Sequence, residues 1–196
     1  MTEETASDDK PIKRPMPLPG AGSERRRRNA MVRVDHAGEF GAVRIYEGQL
    51  AVLRGRPGMD QTVAEIEHMA GQEDVHLETF DRLVNERGVR PTALAPVWHV
   101  AGFALGAATA LLGPKAAMAC TAAVETEIDN HYAAQLNELD DKDPELKGFV
   151  EKFREEEIEH RDHALASGAE EAIAYPLLSR AIRFGCRAAI RISEKI

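Results

Sequence analysis

A chain of 196 residues with a formal net charge of −8 is long enough for one hydrophobic core and too acidic to favour nucleic acid as a partner. Its composition is 43% hydrophobic and 5% aromatic, with abundant Ala, Glu, Leu and Arg, which favours helices over sheets. The two cysteines lack a C-x-x-C spacing and indicate neither a disulfide framework nor a thiolate metal site. We therefore expect one all-α domain in a reducing compartment.

The N-terminal residues combine acids, Ser and a proline-spaced stretch, RPMPLPGAG, that cannot hold a helix. We predict a disordered tail over residues 1–22 and an ordered domain over residues 23–196. The tail shows neither an apolar signal segment nor an arginine-rich presequence, which points to a bacterial-type cytoplasm. The arginine run at 25–28 is expected to be a solvated arm, and anionic lipid fits it better as a partner than nucleic acid.

Breakers and capping residues predict four long helices. They cover residues 24–53, 60–87, 114–139 and 144–167. The breaker RGRPG ends the first helix, and Asp60 is expected to cap the second. Pro144 stands at the first position of the fourth helix, where its missing N–H is no loss. We expect the first two helices to form an antiparallel pair.

A first apolar segment outside these helices covers residues 97–112. It is about sixteen residues long, which is short for a membrane span, and it is interrupted by His99 and several glycines. The segment fits an interfacial or tail-binding helix. It equally fits a crossover packed on the bundle, and the two roles can coexist.

A second segment, residues 173–192, carries arginines at every third or fourth position. They form one basic stripe, made of Arg180, Arg183, Arg187 and Arg191. Another face is apolar and holds Leu178, Ile182, Gly185, Ala189 and Ile192. This pattern predicts an interfacial helix that docks on an anionic membrane surface. The alternative is a helix packed on the bundle with a solvated basic face.

An internal repeat of the helix pair becomes visible when the acidic residues are aligned. Tyr, Gln and Leu follow Glu39 at offsets of seven, ten and eleven residues, and the same three residue types follow Glu125 at the same offsets. Each half then supplies a Glu-x-x-His, formed by Glu73 with His76 and by Glu157 with His160. The interval from the single Glu to the paired Glu is 34 residues in the first half and 32 in the second.

These acids and histidines predict a metal centre. Residues three apart on a helix share one face, so each Glu-x-x-His can aim both side chains at a single point. Four Glu and two His are the ligands that a four-helix bundle uses for a di-iron or di-manganese centre. Two divalent cations would also neutralise four buried carboxylates. We expect one iron on Glu39 and His76, the other on Glu125 and His160, with Glu73 and Glu157 bridging.

Further residues lie close to this pattern. Tyr46 and Tyr132 lie two turns beyond Glu39 and Glu125; core packing is the expectation for Tyr46, whereas His131 and Tyr132 could relay protons or electrons. A side chain is also needed to orient each histidine, and the candidates are Glu156, Asp74 and Asp162. The remaining histidines fall outside the repeat and are expected at the surface or in the core. One of them precedes Glu39 by one turn, so its role as a ligand is ambiguous, and we do not include it in the ligand set. They are His68, His99, His163 and the ambiguous His36.

Three blocks, RVDHAGEFGAVRIYEGQ, FALGAATALLGPKAAMACTAAVE and KFREEEIEHRDH, resemble the demethoxyubiquinone hydroxylase family of ubiquinone biosynthesis, whose members are ferritin-like di-iron carboxylate proteins. The resemblance covers nearly everything after the tail. It implies a ferritin-like four-helix bundle with two additional helices. The family's ligands fall on the same six residues named above, and its His-Tyr pair falls on His131 and Tyr132.

The resemblance also implies the activity. The chain would be a monooxygenase that uses O₂ and two Fe ions to hydroxylate the ring of a polyprenylated demethoxyubiquinol. An external reductant, NADH or the quinol itself, would return the electrons, although the sequence has no G-x-G-x-x-G fingerprint. It implies peripheral attachment to the cytoplasmic face of a bacterial inner membrane, with other ubiquinone-biosynthesis proteins or a second copy of the chain as candidate partners.

The competing hypothesis is a ferritin-like ferroxidase that stores iron. Its ligands would look nearly identical. The two extra apolar or basic segments and the three family blocks favour the hydroxylase, because a soluble cage subunit needs neither.

Overall fold

The structure is a computed structural model that describes residues 21–139 and 142–196. Within these ranges the chain forms six α-helices and no strand, which confirms the all-α prediction. The helices are α1 (Ala21–Leu53), α2 (Asp60–Arg87), α3 (Ala95–Leu111), α4 (Pro114–Leu139), α5 (Pro144–Ala166) and α6 (Tyr175–Ser193). A short 3-10 turn, Ala169–Glu171, precedes α6. Residues 1–20 of the predicted tail lie outside the described residues; residues 21 and 22 begin α1, so the tail was predicted to extend two residues too far.

The ends of the helices follow local chemistry. Gly88 ends α2 in the left-handed conformation, with φ of 61°, which glycine adopts without a Cβ penalty. The Asp143 side chain accepts a hydrogen bond from the backbone N–H of Leu146 at 3.2 Å and caps α5. Asp60 does not cap α2 as predicted, because Met59 occupies the cap position. Asp60 instead lies in the first turn, where its charge favours the helix dipole.

Helices α1 and α2 form the predicted antiparallel pair. Arg54 at the end of α1 pairs with Glu67 near the start of α2 at 2.8 Å. Earlier in α1, His36 contacts Asp81, which lies further along α2, at 2.8 Å. Helices α4 and α5 pack on each other in the second half of the chain, and the two pairs close a four-helix bundle.

The bundle interior has two apolar layers with polar positions between them. One layer contains Tyr46, Met69 and Met118. The other contains Phe80 and Phe153, together with Tyr132. Along each of the four bundle helices, the predicted metal ligands fall between residues of the first layer and residues of the second. The acids are therefore held at mid-height, enclosed by apolar side chains above and below.

Helix α3 packs directly on α1 through glycines. A Cβ at Gly106 would collide with the carbonyl oxygen of Ile45, and a Cβ at Gly48 would collide with the carbonyl oxygen of Phe103. Only glycine permits so close a backbone approach. The crossover alternative is therefore correct for this segment. Its other face remains apolar and exposed, with Val100 66% accessible, as an interfacial helix also requires.

Helix α6 packs on α4, and this contact corrects the prediction of one free basic stripe. The buried Glu127 of α4 accepts hydrogen bonds from Arg183 at 2.6 Å and from Arg187 at 2.7 Å. The predicted apolar face is largely turned inward, since Ile182 is buried. Ile192 of that face is 40% accessible, and Leu177 at 72% and Phe184 at 70%, which lie outside it, are more exposed still.

A cavity of about 470 Å³ lies between α1, α3, α4 and α6. Its walls are almost entirely apolar and include Gly41, Leu105, Ile128 and Ile182. We call it the apolar groove. Among the described residues, no helix combines the length and hydropathy required to cross a bilayer.

Candidate metal centre

The six predicted ligands come together inside the bundle, and each is at most 3% exposed. Their donor atoms form two groups within which all atoms lie within 4.8 Å of one another. The groups consist of Glu39, Glu73, His76 and Glu157, and of Glu73, Glu125, Glu157 and His160. Glu73 and Glu157 thus belong to both groups, which is the arrangement expected of carboxylates that bridge two ions. We call the six side chains the carboxylate cluster.

Both histidines present Nδ1 to the interior of the cluster. Nδ1 of His76 lies 3.2 Å from Glu157 Oε1 and 3.6 Å from Glu39 Oε2. Nδ1 of His160 lies 3.1 Å from Glu73 Oε1 and 3.3 Å from Glu157 Oε2. The geometry therefore supplies one imidazole nitrogen to each group.

Unsatisfied polar atoms concentrate in this cluster. Of the thirteen buried side-chain N and O atoms without a hydrogen-bond partner in the described residues, eight belong to the six cluster residues. Buried polar atoms are normally paired, because leaving them unpaired costs free energy. Carboxylate oxygens and imidazole nitrogens are ligands that divalent transition metals accept. The residues present therefore fit a pair of metal ions.

The electrostatics of the cluster support the same fit. Burial raises the pKa of Glu39 to about 8 and raises the pKa of Glu125 well above its usual range. Burial disfavours the charged form of Glu73 too, but the nearby imidazoles of His160 and His76 hold its pKa at about 2. Burial likewise opposes charging of His160, yet the carboxylates of Glu157 and Glu73 raise its pKa to about 9. Without cations, burial therefore favours the neutral, protonated forms of Glu39 and Glu125.

The second nitrogen of each histidine is held by the opposite Glu-x-x-His helix. Nε2 of His76 lies 2.7 Å from Glu156 on α5, and Nε2 of His160 lies 3.0 Å from Gln72 on α2. Such contacts fix the ring orientation of metal-binding histidines. Glu156 is therefore the orienting residue among the three candidates. Gln72 was missed, although the repeat aligns it with Glu156, since each directly precedes the Glu of its motif.

The two tyrosines of the repeat also contact the cluster. The Tyr46 hydroxyl donates to Glu125 Oε1 at 2.9 Å, and the Tyr132 hydroxyl donates to Glu39 Oε1. Burial raises the pKa of both tyrosines well above the usual value, which keeps them neutral donors. Core packing alone is thus an incomplete account of Tyr46. The equal offset of the two tyrosines from their glutamates was the signal for a shared role.

One half of the cluster carries an additional hydrogen-bond network. The buried Asp35 Oδ1 lies 2.9 Å from Nε2 of His131 and accepts a hydrogen bond from Gln135 at 2.6 Å. Burial raises the pKa of Asp35. The equivalent positions in the other half hold Thr121 and Ile45, which cannot titrate in this range. The ionisable network is therefore confined to the half that contains Glu39.

The other histidines lie outside the cluster, as predicted. His36 contacts Asp81, and His99 stacks on Phe40 with ring centroids 6.1 Å apart. His68 and His163 line a separate polar cavity between α2 and α5.

The fold and the cluster define the class: an all-α, ferritin-like bundle with four carboxylates and two imidazoles enclosed at mid-height. Residues 26–193 match the family model described as "Ubiquinone biosynthesis protein COQ7". The chain is 55% identical over 179 residues to the 3-demethoxyubiquinol 3-hydroxylase of Rhodospirillum rubrum, covering 91% of this chain and 83% of that protein.

Eukaryotic relatives are similar over most of the same region. The mitochondrial NADPH-dependent 3-demethoxyubiquinone 3-hydroxylase of Mus musculus is 53% identical, over 84% of this chain and 76% of that protein. The mitochondrial 5-demethoxyubiquinone hydroxylase of Saccharomyces cerevisiae is 41% identical, over 85% of this chain and 77% of that protein. The chain belongs to the COQ7 family of ubiquinone biosynthesis proteins.

Proposed function

We propose that this chain is a di-iron monooxygenase that hydroxylates the ring of a polyprenylated demethoxyubiquinol. The observation that carries the proposal is the carboxylate cluster, whose two groups share Glu73 and Glu157 in a chain whose relatives are named hydroxylases. Storage of iron is not favoured, because those relatives are named for ring hydroxylation. The chemistry that two bound Fe(II) ions supply is the reductive activation of O₂.

The cluster residues divide into three roles. Glu39 and His76 would hold one ion, Glu125 and His160 would hold the other, and Glu73 and Glu157 would hold both. Gln72 and Glu156 keep the two imidazole rings aimed inward through their contacts with Nε2. The two apolar layers exclude bulk water from the site, which strengthens each electrostatic interaction within it.

The apolar groove is the proposed site of the quinol. Gly38 and Val124 line it and are the chain neighbours of Glu39 and Glu125, so the groove passes one residue away from two members of the cluster. A cavity of about 470 Å³ is of the size that holds small ligands. Its apolar walls fit a prenyl tail, and the ring would lie at the end nearest the two glutamates.

His131 and Tyr132 are proposed to handle the protons of the reaction. Tyr132 donates a hydrogen bond to Glu39, so it can hold a proton at a cluster carboxylate. His131 is only partly buried and bonds to Asp35, which gives the buried network a contact with the surface. The pair lies in the half of the cluster where this network exists.

Membrane attachment is proposed to occur through α3 and α6, which flank the groove. Leu177, Phe184 and Val100 are exposed apolar residues on these two helices. Arg180 and Arg191 on α6 are exposed and remain oriented for anionic headgroups. A substrate with a long isoprenoid tail could then pass from the bilayer into the groove without crossing water. The surface would be the cytoplasmic face of a bacterial inner membrane.

The electron donor is proposed to be a nicotinamide nucleotide or a quinol. The mouse relative is named for NADPH, whereas the family resemblance implied NADH, and the quinol itself is the alternative. Either nucleotide or quinol would have to deliver two electrons for each turnover.

Single-turnover chemistry tests the proposed function. Anaerobically reduced protein is mixed with demethoxyubiquinol and isotopically labelled O₂, and the quinone product is analysed by mass spectrometry. One labelled oxygen atom in the ring is the expected result. Oxygen consumption that depends on added Fe(II) alone, with no labelled product, would show a ferroxidase instead.

A further inference from the structure

A second cavity of about 470 Å³ lies between α2 and α5, on the side of the bundle away from the apolar groove. Its lining contains carboxylates, imidazoles and carboxamides and, among the described residues, neither Lys nor Arg. The polar residues are Gln61, Glu65, His68, Gln72, Glu159, His160 and His163. We call it the polar pocket. Carboxylate, carboxamide and imidazole side chains in a lining without Lys or Arg are donors that a divalent transition-metal ion accepts.

The polar pocket leads to the cluster. Gln61, Glu65, His68 and Gln72 recur every three or four residues, so they line one stripe of α2 that runs toward the cluster residue Glu73. His163 Nε2 faces Glu65 Oε2 across the pocket at 3.5 Å. At the inner end, Gln72 contacts Nε2 of His160, whose Nδ1 belongs to the cluster. One imidazole ring therefore separates the polar pocket from the cluster.

The internal repeat provides a comparison, because the equivalent positions at the other histidine are closed. Where the pocket has Glu65 and His68, the repeat places Phe149 and Lys152. Where it has Met69, the repeat places Phe153, whose ring packs on His76 with centroids 4.0 Å apart. Lys152 lies over the Phe153 ring at 5.5 Å. An aromatic plug with a cation above it opposes the entry of a metal ion.

Like the closed end beside His76, the apolar groove is a poor route for a hydrated cation, because moving a charge through apolar surroundings costs free energy. We propose that the polar pocket is the port through which Fe(II) enters the cluster, with Glu65, His68 and His163 as transient donors. This inference rests on the proposed metal centre. The three donors attract the ion from solvent, and His160 receives it.

Rates of metal uptake test the port without reference to turnover. Full-length protein is stripped of metal by chelation and mixed anaerobically with Fe(II), and incorporation is followed by timed quenching and metal analysis. The triple variant Glu65→Gln, His68→Gln, His163→Gln is expected to load about tenfold more slowly at low ionic strength, because attraction by charged clefts changes association rates by this order. Its final iron content is expected to equal that of the parent. Added salt is expected to slow the parent more than the variant.

Two further variants complete the design. Ala64→Trp fills the pocket without removing a donor and is expected to slow uptake as well. The matched control, Glu155→Gln, removes the same single negative charge from an exposed position of α5 outside the pocket and is expected to load like the parent. Equal rates of Fe(II) uptake in the parent, the triple variant and Ala64→Trp would show that the polar pocket is not the entry port. A lower final iron content in the triple variant would also overturn it, since the donors would then belong to the resting centre. A parent chain that retains no iron would refute the proposed function instead.

Discussion

The α1–α4 side of the bundle and the α2–α5 side enclose the same cluster but differ in chemistry. The first is covered by α3 and α6 and carries the apolar groove, bounded by residues such as Leu105 and Ile182. The second is uncovered in the described residues and carries the polar pocket with His68 and His163. A prenylated substrate and a metal ion differ just as strongly in the surroundings they favour. Under the two proposals, one buried centre would be served from two sides.

The two halves of the internal repeat teach a related lesson. Where both halves keep the same residue, as with Tyr46 and Tyr132, the residue supports the shared centre. Where the two halves differ, the two ends of the centre have different surroundings. Asp35 and His131 mark one half, and the open polar pocket marks the other.

The largest expected effect comes from a carboxylate common to both groups. Glu157→Ala removes one shared ligand and leaves two ions with too little negative charge, so both are expected to be lost together with activity. The loss of affinity is expected to exceed the roughly 100-fold that removal of an outer partner of a ligand can cost. Iron per chain after purification measures it.

Glu155→Ala is the matched control for that substitution, because Glu155 is exposed on the same helix. It is expected to retain the iron and turnover of the parent. A Glu157→Ala protein with full iron and normal turnover would remove Glu157 from the centre.

The second-largest expected effect comes from removing the tyrosine hydroxyls, and we expect it to differ between the two halves of the repeat. Tyr132→Phe is expected to slow turnover about 100-fold, a typical contribution of positioned proton transfer, while iron content stays unchanged. Tyr46→Phe removes the equivalent hydroxyl from the half without the Asp35 network, and its turnover is expected to fall much less. Equal losses in both variants would show that the two hydroxyls only support the ligands.

The sequence was sufficient for most helix ends and for bringing the six cluster residues together, because both depend on local periodicity and on the repeat. It placed the start of α1 at residue 24 rather than at Ala21. The glutamates and histidines lie at fixed helical spacings, so their faces could be derived without knowing how the helices cross. The limits of α1 and α4 follow similarly from breakers such as Gly55 and Pro114.

The remaining features depend on contacts between helices that spacing does not specify. The hydrogen bond between His160 Nε2 and the carboxamide oxygen of Gln72 requires knowing that α2 faces α5. The contacts of Arg183 and Arg187 with Glu127 require the rotation of α6 on α4, which a regular arginine spacing leaves open. Two of the four arginines of α6 therefore contact the bundle through Glu127, whereas Arg180 and Arg191 are exposed to solvent without that contact.

That division sharpens the membrane test on the α3–α6 side. Changing all four arginines would also break the Glu127 contacts, so the informative variant is Arg180→Glu with Arg191→Glu. Two arginines near an anionic surface contribute about 2 kcal/mol, so their loss alone weakens binding to anionic vesicles roughly thirtyfold, and repulsion of the two glutamates is expected to weaken it further. Sedimentation with vesicles at physiological salt measures the change.

A companion variant tests the apolar contribution to the same surface. Leu177→Asp with Phe184→Asp is expected to reduce sedimentation with neutral vesicles as well as anionic ones, because it removes exposed apolar area. Iron content is expected to stay at the parental level in both double variants. Unchanged sedimentation in both would leave the exposed face of α3 as the attachment surface.

The smallest expected effect concerns the width of the apolar groove. Gly41 lines the groove, and a Cβ placed there would meet no atom within 4 Å, so Gly41→Leu projects into open space rather than into the backbone. We expect KM for a long-tailed quinol to rise about tenfold, the scale of a small steric change in an apolar pocket, while a tail-less analogue is affected less. Gly71→Leu on the α2–α5 side has the same freedom at its Cβ and serves as the control. If Gly41→Leu raised KM equally for the long-tailed and tail-less substrates, the tail would not occupy this part of the groove.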